Sequence, residues 1–154
     1  MTDTKTSILR ELPNAEYPIE VTHSGKAQLK DGVFEEQAAP GSATKIRVLL
    51  GEERAAGDLN DDGLQDAAAT LIADPGGSGT FIYLTAAINQ NNTAKPVASV
   101  LLGDRIVVKS LTIECGVIIV TLLDRKPHEP MAATPTVEVI QKFNLRGDRL
   151  AKIE

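Results

Sequence analysis

Residues 51–74, GEERAAGDLNDDGLQDAAATLIAD, decide the fold. The arms EERAAGDL (52–59) and LQDAAATLIAD (64–74) are rich in alanine, and taken alone they suit a helix on each side of an acidic loop. Gly57 weighs against that reading, because a glycine just before the loop breaks the entering helix. Working outward, the neighbouring runs are β-like. TKIRVLLG (44–51) alternates Ile46, Val48 and Leu50 with Lys45 and Arg47, which buries one face and wets the other. PIEVTH (18–23), TFIYLTAAIN (80–89), PVASVLLGD (96–104), RIVVKSLTIE (105–114), GVIIVTLLD (116–124) and TVEVIQKFNL (136–145) read as further strands. Gly25 and Gly32 bracket another short one. LLGDRIV, IECGVI and NLRGDRLAKI read as tight turns between antiparallel neighbours. The expected fold is therefore all-β: a single antiparallel meander over 14–154, forming a partly closed barrel or sandwich. An N-terminal segment, 1–13, holds one short capping helix in TKTSILREL, which ends before Pro13.

Composition narrows the function classes. A chain of 154 residues, 42% hydrophobic and 24% charged, is long enough for one domain with a sizeable core. Its net charge of -5 lacks the basic stripe that phosphate-backbone binding needs, so no nucleic acid partner is expected. No apolar run approaches the roughly 20 residues of a transmembrane segment, and MTDTKTSILREL lacks the apolar centre of an export signal. The lone Cys115 makes no internal disulfide.

The acidic centre of the opening stretch is the strongest chemical signal. Laid on the EF-hand template, Asp58, Asn60 and Asp62 fall at positions 1, 3 and 5, Gly63 at 6 and Asp66 at 9. Position 12, which needs a bidentate glutamate, is Ala69, so the EF-hand reading fails. The remaining D-x-N-x-D-G-x-x-D pattern resembles the calcium hairpin of integrin-type FG-GAP repeats, where the ligands lie between two strands. That resemblance implies side-chain oxygens from Asp58, Asn60, Asp62 and Asp66 and a backbone carbonyl from Leu64; alternation along the loop separately places Asp61 outward. Calcium takes six to eight hard oxygens at about 2.3–2.6 Å, and alternate residues of a curling loop supply them while glycine permits the turn. The competing reading is a metal-free hairpin held by Asx-turns. Close carboxylates without metal repel one another, so that reading predicts stability gained as pH falls toward their pKa values.

Other candidate chemistry is sparse. DPGGSGT (74–80) lacks the lysine and following helix of a phosphate-binding loop and reads as a flexible hairpin connection. His23 and His128 stand apart from each other and from any nucleophile motif, and Cys115 sits at an apparent hairpin tip without a neighbouring base. With no convergent acid, base or nucleophile, the chain reads as a non-enzyme. DRKPHEPMAATPT (124–136), with its three prolines, reads as an ordered loop across one end of the sheet and is the first place to look for a binding surface.

From about Asn14 onward, NAEYPIEVTHSGKAQLKDGVFEE, APGSATK, ASVLLGDRIVVKSLTI and EPMAATPTVEVIQKFNLRGDRL, with GGSGTF and LLGDR as the most distinctive motifs, resemble an uncharacterised β domain of bacterial secreted proteins and lipoproteins. The resemblance implies a secreted or cell-envelope location whose signal is not in this chain, and it leaves a cytoplasmic location open. The expected function is a non-enzymatic exported binding module for an unknown protein or small-molecule ligand, with calcium stiffening one hairpin. The alternatives are a structural or oligomerisation module of the envelope and, more remotely, a hydrolase-type enzyme. A homodimer fits the second, since GVIIVTLL and RIVVKSLTI are apolar enough to form an interface as well as a core.

Overall fold

The structure is a computed structural model that describes residues 4–153. Helix α1 (Thr4–Glu11) and a 3-10 turn (Leu12–Asn14) precede eleven strands. These are β1 (Glu16–Pro18), β2 (Lys26–Gln28), β3 (Val33–Gln37), β4 (Lys45–Gly57), β5 (Asp66–Asp74), β6 (Phe81–Gln90), β7 (Thr93–Asp104), β8 (Val107–Glu114), β9 (Val117–Asp124), β10 (Val137–Arg146) and β11 (Arg149–Ile153). They form a two-stranded ribbon β1-β2, a five-stranded sheet β3-β4-β5-β6-β7 and a four-stranded sheet β11-β10-β9-β8, and every pair is antiparallel. Within each sheet the expected nearest-neighbour meander holds, and the fold is the antiparallel all-β architecture anticipated, with one curled sheet.

The five-stranded sheet is the middle of three layers. On one face, Ala67, Ala69, Leu71 and Ala73 of β5 meet Ile8 and Leu12 from the N-terminal helical turn and Tyr17, Ala27 and Leu29 from the ribbon. On the other, Ala68 of β5 and Leu84 and Ala86 of β6 meet Leu111, Ile118, Val120, Leu122 and Phe143 of the four-stranded sheet. A strand buried on both faces has no polar face to alternate with. This is why DAAATLIAD carries a composition that also suits a helix, and its β identity comes from the layers on either side.

Three expectations change. PIEVTH is not a strand: β1 ends at Pro18 and the chain turns through residues 20–25, where Thr22 Oγ1 donates to the Lys26 carbonyl at 2.9 Å. LLGDRIV does not join hairpin neighbours but carries the chain from the five-stranded sheet into the four-stranded one, with Arg105 rather than Gly103 at positive φ. The helix is more than a cap, since its Ile8, like Leu12 of the 3-10 turn that follows, is 1% exposed within the apolar cluster of the sheet. The 3-10 turn is held by the buried Tyr17, whose hydroxyl donates to the Leu12 carbonyl at 2.7 Å. IECGVI and NLRGDRLAKI are two-residue hairpin turns, as expected. DPGGSGT does connect the paired strands β5 and β6.

Candidate metal-binding loop

The loop of residues 58–65 joins β4 to β5, so the acidic motif lies between two strands and not between two helices. β4 delivers it close to the second sheet: a Cβ on Gly57 would lie 2.5 Å from Ile113 Cγ2, a separation only glycine permits. Gly63, at φ +81°, supplies the left-handed turn in the middle of the loop.

Carboxylate oxygens of Asp58, Asp62 and Asp66 lie within 4.8 Å of one another. Two oxygens on one calcium ion stand at most twice the bond length apart, about 4.6–5.2 Å, so the triad has a spacing that a single cation could bridge. Asn60 adds a fourth group. With its amide nitrogen inward it donates to Asp62 Oδ1 at 2.9 Å and to Asp58 Oδ1 and Asp66 Oδ2 at 3.2 Å each. With its oxygen inward, four oxygens converge, an arrangement that only a cation makes favourable. The nitrogen-inward orientation therefore suits the bare loop, and the oxygen-inward one would need a cation. Leu64, expected to give a carbonyl, is exposed, and its N–H donates to Asp62 Oδ1 at 2.9 Å.

The same carboxylates also organise the backbone. Asp58 Oδ2 accepts from the Gly63 N–H at 2.8 Å, and its Oδ1 accepts from Asn60 and Asp62 at 3.3 Å each. Asp66, with none of its surface exposed, accepts from the Leu59 N–H and the Asn89 N–H at 2.7 Å each. Each carboxylate oxygen has two lone pairs, so these bonds are compatible with metal ligation.

The electrostatics divide the triad. Burial raises the Asp66 pKa, opposed by its two backbone hydrogen bonds and reinforced by the charges of Asp62 and Asp58. Asp58 moves the other way, held below its usual value chiefly by the Gly63 N–H. Like-charge repulsion thus bears on Asp66, whereas at Asp58 the inward-pointing N–H dipoles outweigh desolvation.

Asn89 is a positioning residue that the sequence does not single out. From the end of β6 its Nδ2 donates to the Gln65 carbonyl at 3.2 Å and its Oδ1 accepts from the Asn92 N–H at 2.9 Å. It thereby clamps the acidic loop to the β6–β7 turn. The available signal is an asparagine one residue short of the end of an apolar strand, with Gln90 between it and the turn pair Asn91-Asn92, both at positive φ.

A groove of about 680 Å3 lies beside the loop, walled by Asp58, Leu59 and Asp61 on one side and by Ile113, Cys115 and Leu145 on the other. Asp61 lines this groove together with Asp58. Cys115 is exposed at the β8–β9 hairpin tip, as expected. The histidines remain apart: His23 Nε2 donates to the Gln37 carbonyl at 2.9 Å, and His128 lies in the 125–136 loop at positive φ. That loop is ordered around Arg125, whose guanidinium donates to the carbonyls of Ala133, Asp104 and Arg105 at 2.9, 3.2 and 3.1 Å. No helix among the described residues is long and apolar enough to cross a membrane. No known protein family matches the chain, and no curated protein or solved structure is significantly similar to it.

Proposed function

We propose that this chain is a non-enzymatic binding module, exported in its native setting, in which the 58–66 loop holds one calcium ion as a brace. The observation that carries the reading is the convergence of Asp58, Asp62 and Asp66 with the Asn60 amide among them. The hard, anionic oxygen set suits calcium better than a soft-ligand metal. The ion would act structurally: it would neutralise the repulsion that Asp66 feels from Asp58 and Asp62, and fix the wall of the adjoining groove. An exported setting would supply the calcium that such a loop needs.

The test is isothermal titration of calcium into chelator-stripped protein, with thermal melting in calcium and in EDTA. A ligand that prefers the folded state stabilises it by about 2.7 kcal/mol at a hundredfold excess over Kd. Saturable heat together with a raised melting temperature is the expected result. No heat and no shift would reduce the loop to an Asx-turned hairpin.

A further inference from the structure

We infer that the outer edge of β7, over Val97–Leu101, is a docking groove for one extended peptide strand carrying basic side chains. The inference rests on the binding-module reading but not on the metal loop. β7 is the terminal strand of the five-stranded sheet and pairs only with β6. Among the described residues no second strand pairs with its outward N–H and C=O groups, and what satisfies such a row is another extended backbone.

The sheet edges differ in how they are guarded. The β3 edge carries Glu35 and Glu36, the β8 edge carries Lys109 at an irregularity in its pairing, and β11 carries Arg149 and Lys152. Charges and bulges of this kind deter strand addition. β7 has Lys95 and Pro96 at one end and Asp104 at the other, but the six residues Val97–Leu102 between them are uncharged. Between its two register shifts, Ala98–Leu101 pairs regularly with β6, so the edge there is straight enough to template a neighbour.

A groove of about 590 Å3 follows this edge, lined by all five consecutive residues Val97–Leu101. Consecutive lining marks an edge, since a sheet face would contribute alternate residues. The walls come from the two outer layers: Pro18–Glu20 and Gly25 on one side, Asp148 of the β10–β11 turn on the other. Both β1 and β11 pack against β7, so the edge is recessed. A recessed edge admits a single extended chain and obstructs the approach of a whole second sheet, which favours a peptide over a second copy of the protein. The lining includes two carboxylates, Glu20 and Asp148, and no lysine or arginine, so the complementary strand is basic. Tyr83, whose hydroxyl donates to Glu20 Oε1 at 3.4 Å, holds one of those carboxylates at the groove.

The experiment is amide hydrogen exchange read by NMR on the full chain. The probes are the hexapeptide Lys-Val-Thr-Val-Lys-Val, its glutamate-for-lysine counterpart, and the basic peptide N-methylated at alternate residues. The basic peptide should slow exchange of alternate amides in Val97–Leu101 by about tenfold or more at saturation. N-methylation should abolish this, and the acidic peptide should bind more weakly. Glu20→Gln, which keeps an acceptor for the Tyr83 hydroxyl, with Asp148→Lys should weaken the basic peptide about three- to tenfold without altering the melting temperature. The inference is overturned if no peptide slows these amides, or if the N-methylated peptide binds equally. It is also overturned if protection already rises with protein concentration alone, the signature of edge-to-edge pairing between copies. Running each titration in calcium and in EDTA separates this inference from the metal reading, because β7 protection is expected in both.

Discussion

Replacing Asp66 by alanine in EDTA should destabilise the fold even though no metal is involved. Asp66 is buried and accepts two short backbone hydrogen bonds, from Leu59 and Asn89, that tie the loop to β5 and β6. Its loss leaves two N–H donors without their partner, and each unsatisfied buried group costs about 1–3 kcal/mol. The gain from removing a desolvated carboxylate that repels Asp58 and Asp62 offsets part of this, leaving a net loss of about 2–4 kcal/mol. For a domain of this size that corresponds to a melting-temperature drop of about 4–16 °C. Asp66→Asn keeps one acceptor and should lose about half as much. Circular-dichroism melts and urea titrations in EDTA measure both. The two variants should also flatten one limb of the pH profile. Because the folded pKa of Asp66 is raised, the fold binds its proton first, so wild-type stability rises as pH falls through that pKa toward the unfolded value. Asp58, with a lowered folded pKa, contributes the opposite limb: its stabilisation is present above the unfolded pKa and lost as pH falls through the folded one. An Asp66→Ala protein that melts within about 1 °C of wild type in EDTA would refute the reasoning.

Other perturbations test separate contacts. Asp62→Asn keeps the acceptor for Leu64, so it should leave the EDTA melt within about 0.5 kcal/mol of wild type while weakening calcium-dependent stabilisation. Equal calcium shifts in the two proteins would count against Asp62 as a ligand. Gly57→Ala forces a Cβ against Ile113 and should cost about 1–3 kcal/mol. In the double variant with Ile113→Ala the two losses should be less than additive, which a double-mutant cycle from urea titrations reads directly. Arg125→Ala removes three hydrogen bonds to carbonyls and should accelerate proteolytic cleavage within residues 126–135, and Arg125→Lys should restore little because lysine lacks the planar fork. Unchanged cleavage would show that the prolines alone order that loop.

The strands that face solvent on one side were readable from alternation. β4 is the clear case, with Ile46 and Val48 buried between exposed Lys45 and Arg47. β5 was readable only by elimination, because Ala67, Ala68 and Ala69 are all buried and carry no period at all. The division into two sheets was not visible, since LLGDRIV has turn composition whether it reverses the chain within a sheet or passes it to another. PIEVTH misled because Ile19 is buried and β-branched while the backbone around it turns, so local propensity and tertiary placement disagree there. The clustering of Asp58, Asp62 and Asp66 was legible because a glycine-bearing turn brings acidic residues at such short spacing together. Asn89 and Arg125 were not, because each acts on backbone groups brought near by pairing across many residues.

The small side chains of the middle sheet have a consequence for how the molecule comes apart. Ala67 and Ala69 belong to one apolar cluster and Ala68 to the other, so neighbouring residues on a single strand report to opposite halves of the interior. Neither half can loosen without disturbing a backbone that the other half also needs. Although the domain contains two hydrophobic clusters, it should therefore lose them together, in one cooperative transition observed alike by a probe at Tyr17 on one side and at Phe143 on the other.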